Sequence, residues 1–352
     1  MSAAQIGIGE HLPAVHAEAE HGVPRVLFII PGKDPGPAAN HGNSMIFARR
    51  QAETLCELGA DAKVFFLRSR TSPRLLLREF RRFRKTMRQE RSEVIHAHFG
   101  TVTAVFAALA CGELPLVITY RGSDLNPAPT SHGVRPFLGR LLSQIAALRA
   151  ARIVCVSRQL RARLWWRRDR AVVLPSGVDP RMFRPEDQTA ARARIGWNPT
   201  ERVILFNAGG DARNKRLDLA KAAVEIARAS IADLRLEVLN GGQDPTSIPT
   251  LMNAADCLLI TSDAEGSPTV IQEALASNLP IVSVDAGDAK ERLEGVLNCR
   301  LTERNPQAIA AALVELTAEP LRSNGRSRIK EISSLHIAAS LCRIYRAAGG
   351  AV

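Results

Sequence analysis

The sequence is poor in aromatic residues and has no long apolar run, and each shortage argues against a class of protein. Phenylalanine, tryptophan and tyrosine make up only 5% of the 352 residues, whereas proteins that bind single-stranded nucleic acid use aromatic side chains to stack bases. No run approaches the roughly 20 apolar residues of a membrane-spanning helix. Residues 1–22 lack a basic start followed by an apolar core, so we predict a flexible tail and no signal peptide. Nucleic acid is not expected as a partner.

Metal ligands are also scarce. No Asp-x-Asp pair occurs, and histidines and cysteines are not clustered, so neither a metal site nor a cofactor is expected. The six cysteines are widely separated, and several lie in apolar segments: Cys56, Cys111, Cys155, Cys257, Cys299 and Cys342. This pattern favours buried, reduced thiols over disulfides and indicates a reducing cytosol.

Basic residues are abundant and concentrated. Lysine and arginine number 47 against 35 acidic residues, which gives a net charge of +12. Nine basic and two acidic residues lie within 70–91, and six basic and one acidic within 158–170. Such clusters attract phosphate-bearing partners, anionic lipid or anionic glycans. In the second cluster, Trp165 and Trp166 fit either an interfacial anchor or a partly buried aromatic pair.

The first basic cluster has helical periodicity. Leu76, Phe80, Phe83 and Met87 are spaced to form one apolar stripe, with arginines on the remaining faces. The stripe fits two interpretations. It is either a helix packed on the core with a solvated back, or a basic amphipathic helix that lies on an anionic membrane.

Short apolar runs alternate with helical stretches, which predicts parallel sheets flanked by helices. The predicted strands are 26–30, 63–67, 94–98, 116–119, 153–157, 172–174, 203–207, 234–239, 257–261 and 281–284. We therefore predict an α/β fold of two doubly wound, Rossmann-like domains, 23–183 and 184–333, that face each other across a cleft. Residues 334–352 are predicted to form a last helix that packs back on the first domain.

The stretch SDAEGSPTVIQEA (262–274) joins a predicted strand to a predicted helix. Ser267 is predicted to be the N-cap of that helix and Pro268 its first residue. The backbone N–H groups of Thr269 and Val270 would then form an anion site suited to phosphate. Gly266 lets the backbone pass close to a ligand.

Two glutamates flank this turn. A carboxylate beside a phosphate site is unfavourable unless it binds something else, and vicinal hydroxyls are the obvious candidate. Glu273 could accept hydrogen bonds from a ribose diol, and Glu265 from a sugar hydroxyl beyond the diphosphate. This arrangement indicates a nucleotide diphosphate sugar. From the residues alone, a capped surface turn with solvated acids is an equal alternative.

The stretch resembles the Glu-x7-Glu signature of retaining glycosyltransferase family 4, whose members have the GT-B fold. Further segments are similar to that family: VLPSGVDPRMFRP (173–185), IPTLMNAADCLLITSDAEGSP (248–268) and NLPIVSVDAGD (278–288). The resemblance covers most of the chain from 23 to 314. It implies a GT-B fold and a nucleotide sugar as donor.

A diphosphate clamp is implied by the same resemblance. FNAGGDARNKRLDLAKAA (206–223) is similar to the family segment in which an arginine and a lysine hold the diphosphate. Lys215 falls at the lysine position, whereas Gly210 stands where arginine is usual. Arg213 is a candidate to supply the missing charge, because a guanidinium suits phosphate.

In the first domain, PGKDPGPAANHGNSM (31–45) resembles the family's glycine-containing loop beside the diphosphate and acceptor. Gly42 and Asn43 are therefore candidate cleft residues. His98, at the end of a predicted strand, either lines the cleft or is a satisfied core histidine.

The segment ITYRGSDLN (118–126) resembles the family's His-Gly-x-Asp turn, with Arg121 at the histidine position. Arginine stays charged and cannot act as a base, but it could bind the sugar, a phosphate or an anionic acceptor. Asp124 could orient Arg121 or cap the following turn.

The resemblance implies a cytoplasmic, retaining, metal-independent glycosyltransferase with Glu265, Lys215 and Arg121 as its catalytic residues. Its acceptor would be a glycan, including a lipid-linked one, in cell-envelope or exopolysaccharide biosynthesis. The basic residues 70–91 suggest contact with the inner face of the cytoplasmic membrane. Two alternatives stay open: an epimerase or hydrolase of the same fold, and a nucleotide-binding protein that has lost catalysis.

Overall fold

The computed structural model describes residues 24–32, 45–69, 71–127, 133–319 and 321–349. The strands in these residues are β1 (Val26–Pro31), β2 (Ala62–Leu67), β3 (Val94–His98), β4 (Leu116–Tyr120), β5 (Arg152–Cys155), β6 (Ala171–Val173), β7 (Arg202–Asn207), β8 (Leu234–Leu239), β9 (Cys257–Ile260), β10 (Ile281–Val284) and β11 (Cys299–Thr302).

Helices follow most of the strands. They are α1 (Ile46–Glu57), α2 (Pro73–Gln89), α3 (Thr101–Ala110), α4 (Val134–Arg149), α5 (Arg158–Ala162), α6 (Gln188–Ile195), α7 (Leu217–Ala227), α8 (Ile248–Ala254), α9 (Thr269–Ala276), α10 (Ala289–Leu293), α11 (Pro306–Ala318) and α12 (Ser334–Gly349).

The strands form two sheets in which every pairing is parallel. One sheet has the order β2-β1-β3-β4-β5-β6, and the other has the order β11-β10-β9-β7-β8. β1, β3 and β4 are buried along their whole length, as expected of strands covered by helices on both faces. The prediction of two doubly wound domains is confirmed. β11 was not predicted, because this short edge strand lacks an apolar run and has only one buried residue.

The apolar stripe of α2 packs on the core of the first sheet. Phe83 is fully buried there, and Leu76, Phe80 and Met87 pack against the same cluster. Phe83 lies edge-to-face with Phe65 of β2, with ring centroids 5.1 Å apart. The core-facing interpretation of this stripe is therefore the right one, and only the basic back of α2 is left for a partner.

The last helix, α12, returns to the first domain. Its Ile337 and Tyr345 lie in one hydrophobic cluster with Val26 and Phe28 of β1, and the Tyr345 hydroxyl lies 2.7 Å from His96 Nδ1. The segment before α12 runs beside the linker that leaves the first sheet. The Val178 N–H donates to the Ile332 carbonyl at 2.9 Å, and the Ser334 N–H donates to the Val178 carbonyl at 2.7 Å.

All six cysteines are free thiols, and five of them are buried. The expectation of buried thiols fails for Cys56, which is exposed on α1. Burial raises the pKa of the Cys155 thiol to about 12, so this side chain stays protonated and unreactive at neutral pH. Within the described ranges, no helix has the length and apolar character needed to cross a bilayer.

Candidate active site

The two domains touch where the turn after β4 meets the turn after β9. Gly266 lies against the carbonyl group of Arg121, and a Cβ atom on Gly266 would come within 1.7 Å of the Arg121 carbonyl oxygen. Beside this contact, Asn126 Nδ2 donates a hydrogen bond to the Glu265 carbonyl at 2.9 Å. Because both turns follow the carboxyl ends of parallel strands, the contact lies at the edges where ligands bind in such folds.

This contact leads to a prediction for Gly266→Ala. The added methyl group meets backbone atoms of the other domain, so we expect the turns to separate and the Asn126–Glu265 hydrogen bond to be lost. Hydrogen–deuterium exchange at residues 122–126 should become faster. Gly210→Ala is the matched control, because a Cβ atom at Gly210 has no other atom within 4 Å. Unchanged exchange in Gly266→Ala would contradict the contact.

A pocket lies beside the same contact, and we call it the central pocket. It is lined by Phe99, Arg121, Gly122, Ser123 and Asn126 of the first domain and by Asp211, Asn214, Ala264, Glu265 and Gly266 of the second. Both domains thus contribute to its wall.

Lys215 and Glu265 form an ion pair at this pocket. Lys215 Nζ lies 2.5 Å from Glu265 Oε1, and their side chains are 23% and 14% exposed. Two hydrogen bonds fix the loop after β7 on the turn after β9. Thr261 Oγ1 donates to the Lys215 carbonyl at 2.7 Å, and Asn214 Nδ2 donates to the Ala264 carbonyl at 3.0 Å. Two candidate residues that are 50 positions apart are therefore brought together.

The helix after this turn begins one residue later than predicted. Pro268 is the N-cap of α9, and the helix starts at Thr269. Ser267 does not cap it, because its hydroxyl donates to Oδ2 of the buried Asp288 at 2.8 Å instead. The first N–H groups of any helix have no intrahelical acceptor. The amides of Thr269 and Val270 are therefore still the ones at the start of the helix.

Glu273 faces a different space, which we call the hinge pocket. This pocket lies between α1, the linker residues 176–183 and α9, and both Thr269 and Glu273 line it. Arg50 Nη1 of the first domain lies 3.9 Å from Glu273 Oε1. Burial raises the pKa of the Glu273 carboxyl to about 7, and the charge of Arg50 opposes this rise. The two glutamates therefore line different pockets, whereas sequence reasoning placed both around one diphosphate.

The Arg121 side chain turns away from the turn after β9 and lies under α1. Its guanidinium stacks over Phe47, 3.8 Å from the ring centroid, and donates to Ser176 Oγ at 2.9 Å, His98 Nδ1 at 2.7 Å and Gln51 Oε1 at 3.2 Å. Burial lowers the pKa of this guanidinium to about 9, so it stays charged at neutral pH. These partners belong to α1, β3 and the linker, and none of them lies in the turn after β9.

His98 lies in the core and does not line either pocket, which corrects its assignment as a cleft residue. It is fully buried, and burial is the main reason why its pKa lies well below the usual range. Since arginine only donates, His98 Nδ1 accepts from Arg121 and the proton resides on Nε2. That Nε2 atom has no hydrogen-bond partner among the described residues.

Asp124 is also buried and has a structural role instead of a place in the cleft. Its carboxylate accepts hydrogen bonds from the backbone N–H groups of Gly100 at 2.9 Å, Arg121 at 3.0 Å and Gly122 at 2.8 Å. Of the two roles considered from sequence, capping of the turn is the one present. Burial raises its pKa, and these three hydrogen bonds oppose the rise.

The remaining candidates are dispersed. Arg213 is exposed and lines a separate groove with Arg216, Asp218 and Asp263, so it does not replace the missing clamp arginine in this arrangement. Gly210 is exposed with open space around it. Gly42 and Asn43 lie outside the described residues. In the described ranges, no group of three His, Cys, Asp or Glu side chains is placed to hold a metal ion.

Two family descriptions match this chain, one for each domain. "Glycosyltransferase Family 4" matches residues 25–181, and "Glycosyl transferases group 1" matches residues 201–319. Together with the two parallel-sheet domains, these matches define a GT-B protein. The chain belongs to glycosyltransferase family 4.

Two relatives of similar sequence are named as glycosyltransferases. The chain is 27% identical over 263 residues to TuaC of Bacillus subtilis, a glycosyltransferase assigned to teichuronic acid biosynthesis, which covers 67% of this chain and 65% of that protein. It is 30% identical over 220 residues to the D-inositol 3-phosphate glycosyltransferase of Segniliparus rotundus, which covers 51% and 48%. The matched region thus spans about half to two thirds of the length of these relatives.

Solved structures show the same fold. Sucrose-phosphate synthase from Thermosynechococcus elongatus superposes with a TM-score of 0.77 at 16% identity, over 92% of this chain and 98% of that one. HepE of Anabaena, solved in complex with UDP and glucose, has a TM-score of 0.68 at 17% identity, over 91% and 98%. A UDP-GlcNAc 2-epimerase from Methanocaldococcus jannaschii has a TM-score of 0.56 at 12% identity, over 91% and 99%. These similarities establish the GT-B fold.

Proposed function

We propose that this protein is a retaining glycosyltransferase that moves a sugar from a nucleotide diphosphate sugar to a glycan, including a lipid-linked glycan, in cell-envelope or exopolysaccharide biosynthesis. The observation that carries this proposal is that Glu265, which lines the pocket between the two domains, is ion-paired with Lys215. An ammonium group beside the start of a helix suits a diphosphate, and a carboxylate suits sugar hydroxyls.

The two pockets suggest how the donor would lie. The sugar would occupy the central pocket beside Glu265, and the nucleoside would occupy the hinge pocket, where Glu273 accepts hydrogen bonds from the ribose. The diphosphate would lie between them, at the amides of Thr269 and Val270 and the ammonium of Lys215. These groups would neutralise the leaving group without a metal ion.

The transfer step breaks the bond between the anomeric carbon and the diphosphate oxygen and forms a bond to an acceptor hydroxyl on the same face of the sugar. The acceptor proton passes to the leaving phosphate oxygen, so no side-chain base is required. This mechanism accommodates an arginine at position 121 and a buried, neutral His98. Stabilisation of the leaving diphosphate is then the main contribution of the protein.

The acceptor side of the proposal is supported by the basic first domain and by the relatives. TuaC is assigned to teichuronic acid biosynthesis, and the Segniliparus rotundus enzyme is named for an inositol phosphate. Both names include an anionic group. The six free thiols support a reducing, cytoplasmic location.

A thermal-shift screen with UDP-, GDP- and ADP-sugars tests the proposal. One of these donors should stabilise the wild-type protein by about 2.7 kcal/mol at a concentration 100 times its Kd. Glu265→Gln should lose most of this stabilisation, and Glu319→Gln, an exposed acid after α11 that lines neither pocket, should retain it. NMR of the product made with a glycan acceptor should show the donor's anomeric configuration.

Two results would contradict the proposal. Absence of stabilisation by every nucleotide sugar would favour a protein without donor binding. Stabilisation followed by release of an epimerised or free sugar, independent of any acceptor, would favour the epimerase or hydrolase alternative.

A further inference from the structure

One face of the first domain exposes large apolar side chains. Val134 on α4 and Leu109 on α3 are 74% and 72% exposed, and Trp165 is 57% exposed. Phe137 and Leu138 on α4 are exposed as well. Such residues are not unusual singly, but a group of them on neighbouring elements indicates a contact surface.

Helix α4 has its large apolar residues on the outside. Its buried side is made of small or polar residues, Ser143, Gln144, Ala146 and Ala147. Its exposed residues include Val134, Leu138, Ile145 and Leu148, whose spacing of four, seven and three residues places them along one side of a helix. This distribution is the reverse of that on an ordinary surface helix of a globular protein.

Trp165 extends this apolar strip. The Trp165 backbone N–H donates to Gln144 Oε1 at 3.0 Å, and Trp166 Nε1 donates to the Gln144 carbonyl at 2.6 Å. Arg167 Nη2 donates to the Leu148 carbonyl at 3.2 Å. The segment is therefore fixed along α4, and it holds Trp165 outward beside the strip.

The surroundings of the strip are strongly basic. Helix α4 has three arginines and no acidic residue, and residues 158–170 have six arginines and one aspartate. Helix α2 has seven basic residues and one glutamate, Glu79, which is paired with Arg82. The only acid on α2 is thereby partly neutralised.

Helices α2, α3 and α4 form one continuous surface. Helix α3 packs against both of the others. Arg84 of α2 lies beside Gly112, in the turn after α3, and Arg149 Nη2 of α4 donates to the Gly112 carbonyl at 2.6 Å. We call the exposed side of these three helices together with Trp165 the docking face.

We propose that the docking face binds the surface of an anionic lipid bilayer, with the α4 strip and Trp165 inserted among the head groups. The charge selects this occupant, because a face with so few acids repels a second copy of itself and attracts anionic head groups. An amphipathic Trp beside arginines and exposed aliphatic side chains suits the boundary between lipid and water. This contact involves α4 and Trp165 in addition to the back of α2, and its apolar part is not the α2 stripe.

Vesicle flotation tests this inference without any nucleotide or sugar, so its outcome is separate from that of the proposed function. The full-length protein should bind phosphatidylcholine vesicles that contain phosphatidylglycerol at low salt, and much less without phosphatidylglycerol or at high salt. Phe137→Ser with Leu138→Ser should lower the partition coefficient at least about ten-fold. Leu297→Ser with Leu321→Ser, two exposed leucines of the second domain, is the matched control and should bind as the wild type does.

Fluorescence gives a second measurement. On vesicle binding, the emission of the wild type should shift to shorter wavelength, and Trp165→Phe should lose most of that shift while keeping its circular dichroism spectrum. The inference fails if the wild type does not bind anionic vesicles at low salt. It also fails if the Phe137→Ser, Leu138→Ser protein and the Leu297→Ser, Leu321→Ser protein bind alike. A third outcome would also contradict it. Light scattering would show a wild-type dimer that Phe137→Ser with Leu138→Ser abolishes, while neither protein binds vesicles.

Discussion

Lys215→Ala is expected to lower kcat by roughly 10²–10³-fold with the donor that the screen identifies. The substitution removes the ammonium group at the central pocket and leaves the carboxylate of Glu265, 14% exposed, without its partner. An unpaired carboxylate next to the proposed diphosphate site would then repel the donor and could not stabilise the leaving group. Lys221→Ala, which removes an exposed lysine of α7, should have kcat and donor affinity close to the wild type.

A charge swap distinguishes a functional ion pair from a structural one. Lys215→Glu combined with Glu265→Lys retains opposite charges at the two positions, so we expect folding to be largely restored relative to either single change. Activity should stay as low as in Lys215→Ala, because the cation and the carboxylate are exchanged with respect to the phosphate and the sugar. Recovery of activity in the swapped protein would show that the pair serves only to hold the two loops together.

Glu273→Gln is expected to stabilise the protein and to weaken nucleotide binding. Burial raises the pKa of Glu273 to about 7 in the folded protein, so between about pH 4.5 and pH 7 the folded state holds this proton more tightly than the unfolded state. Stability contributed by the protonated carboxyl is therefore lost as pH rises through this range. Glutamine is neutral throughout, so it should raise the free energy of unfolding by on the order of 2 kcal/mol at pH 8 and by little at pH 4.

Glu273→Gln should lower the affinity for the nucleotide, although it raises the stability of the protein. A carboxylate has two charged acceptor oxygens for the two hydroxyls of a diol, whereas an amide has one neutral acceptor oxygen. The Kd for the nucleotide should therefore rise at pH 8. In the wild type, affinity should increase between pH 6 and pH 8 as Glu273 ionises. Denaturant titrations and calorimetry at both pH values measure the two effects, with Glu319→Gln, an exposed acid outside both pockets, as a control that changes neither. Equal pH profiles of stability for Glu273→Gln and wild type would contradict the buried, protonated state.

The central strands could be predicted from sequence, because each is a short apolar run between turns. The bounds expected for 94–98 and 281–284 agree with β3 and β10, which are buried along their whole length. Such strands are buried on both faces of the sheet, so a continuous apolar run in the sequence is enough to predict them. Edge strand β11 reads CRLT and has no such run, and only Cys299 of its four residues is buried.

Features that depend on long-range contacts could not be read from local patterns. Ser267 has the right residue type for an N-cap, but Asp288, 21 positions away, binds its hydroxyl. Arg121 lies next to a glycine turn in sequence, yet Phe47, Gln51 and Ser176 hold its side chain under α1. Arg50 and Glu273 belong to different domains, so no local sequence pattern predicts that they pair.

The Lys215–Glu265 ion pair could be predicted only in part. The nature of each residue followed from the family resemblance, but their contact depends on how the loop after β7 folds over the turn after β9. Asn214 and Thr261 make the hydrogen bonds that hold this arrangement. Neither had been singled out, because a loop asparagine and a strand-end threonine are common in any α/β protein.

The hydrogen bonds at Val178 have a mechanical consequence. The backbone leaves the first domain and comes back to it at one place, since Val178 is bonded to both Ile332 and Ser334. The second domain is therefore joined to the first through two neighbouring backbone segments that are hydrogen-bonded to each other. We expect a rotation about this joint to widen the space between the domains, because it would separate Gly266 from Arg121 and leave the bonds at Val178 intact.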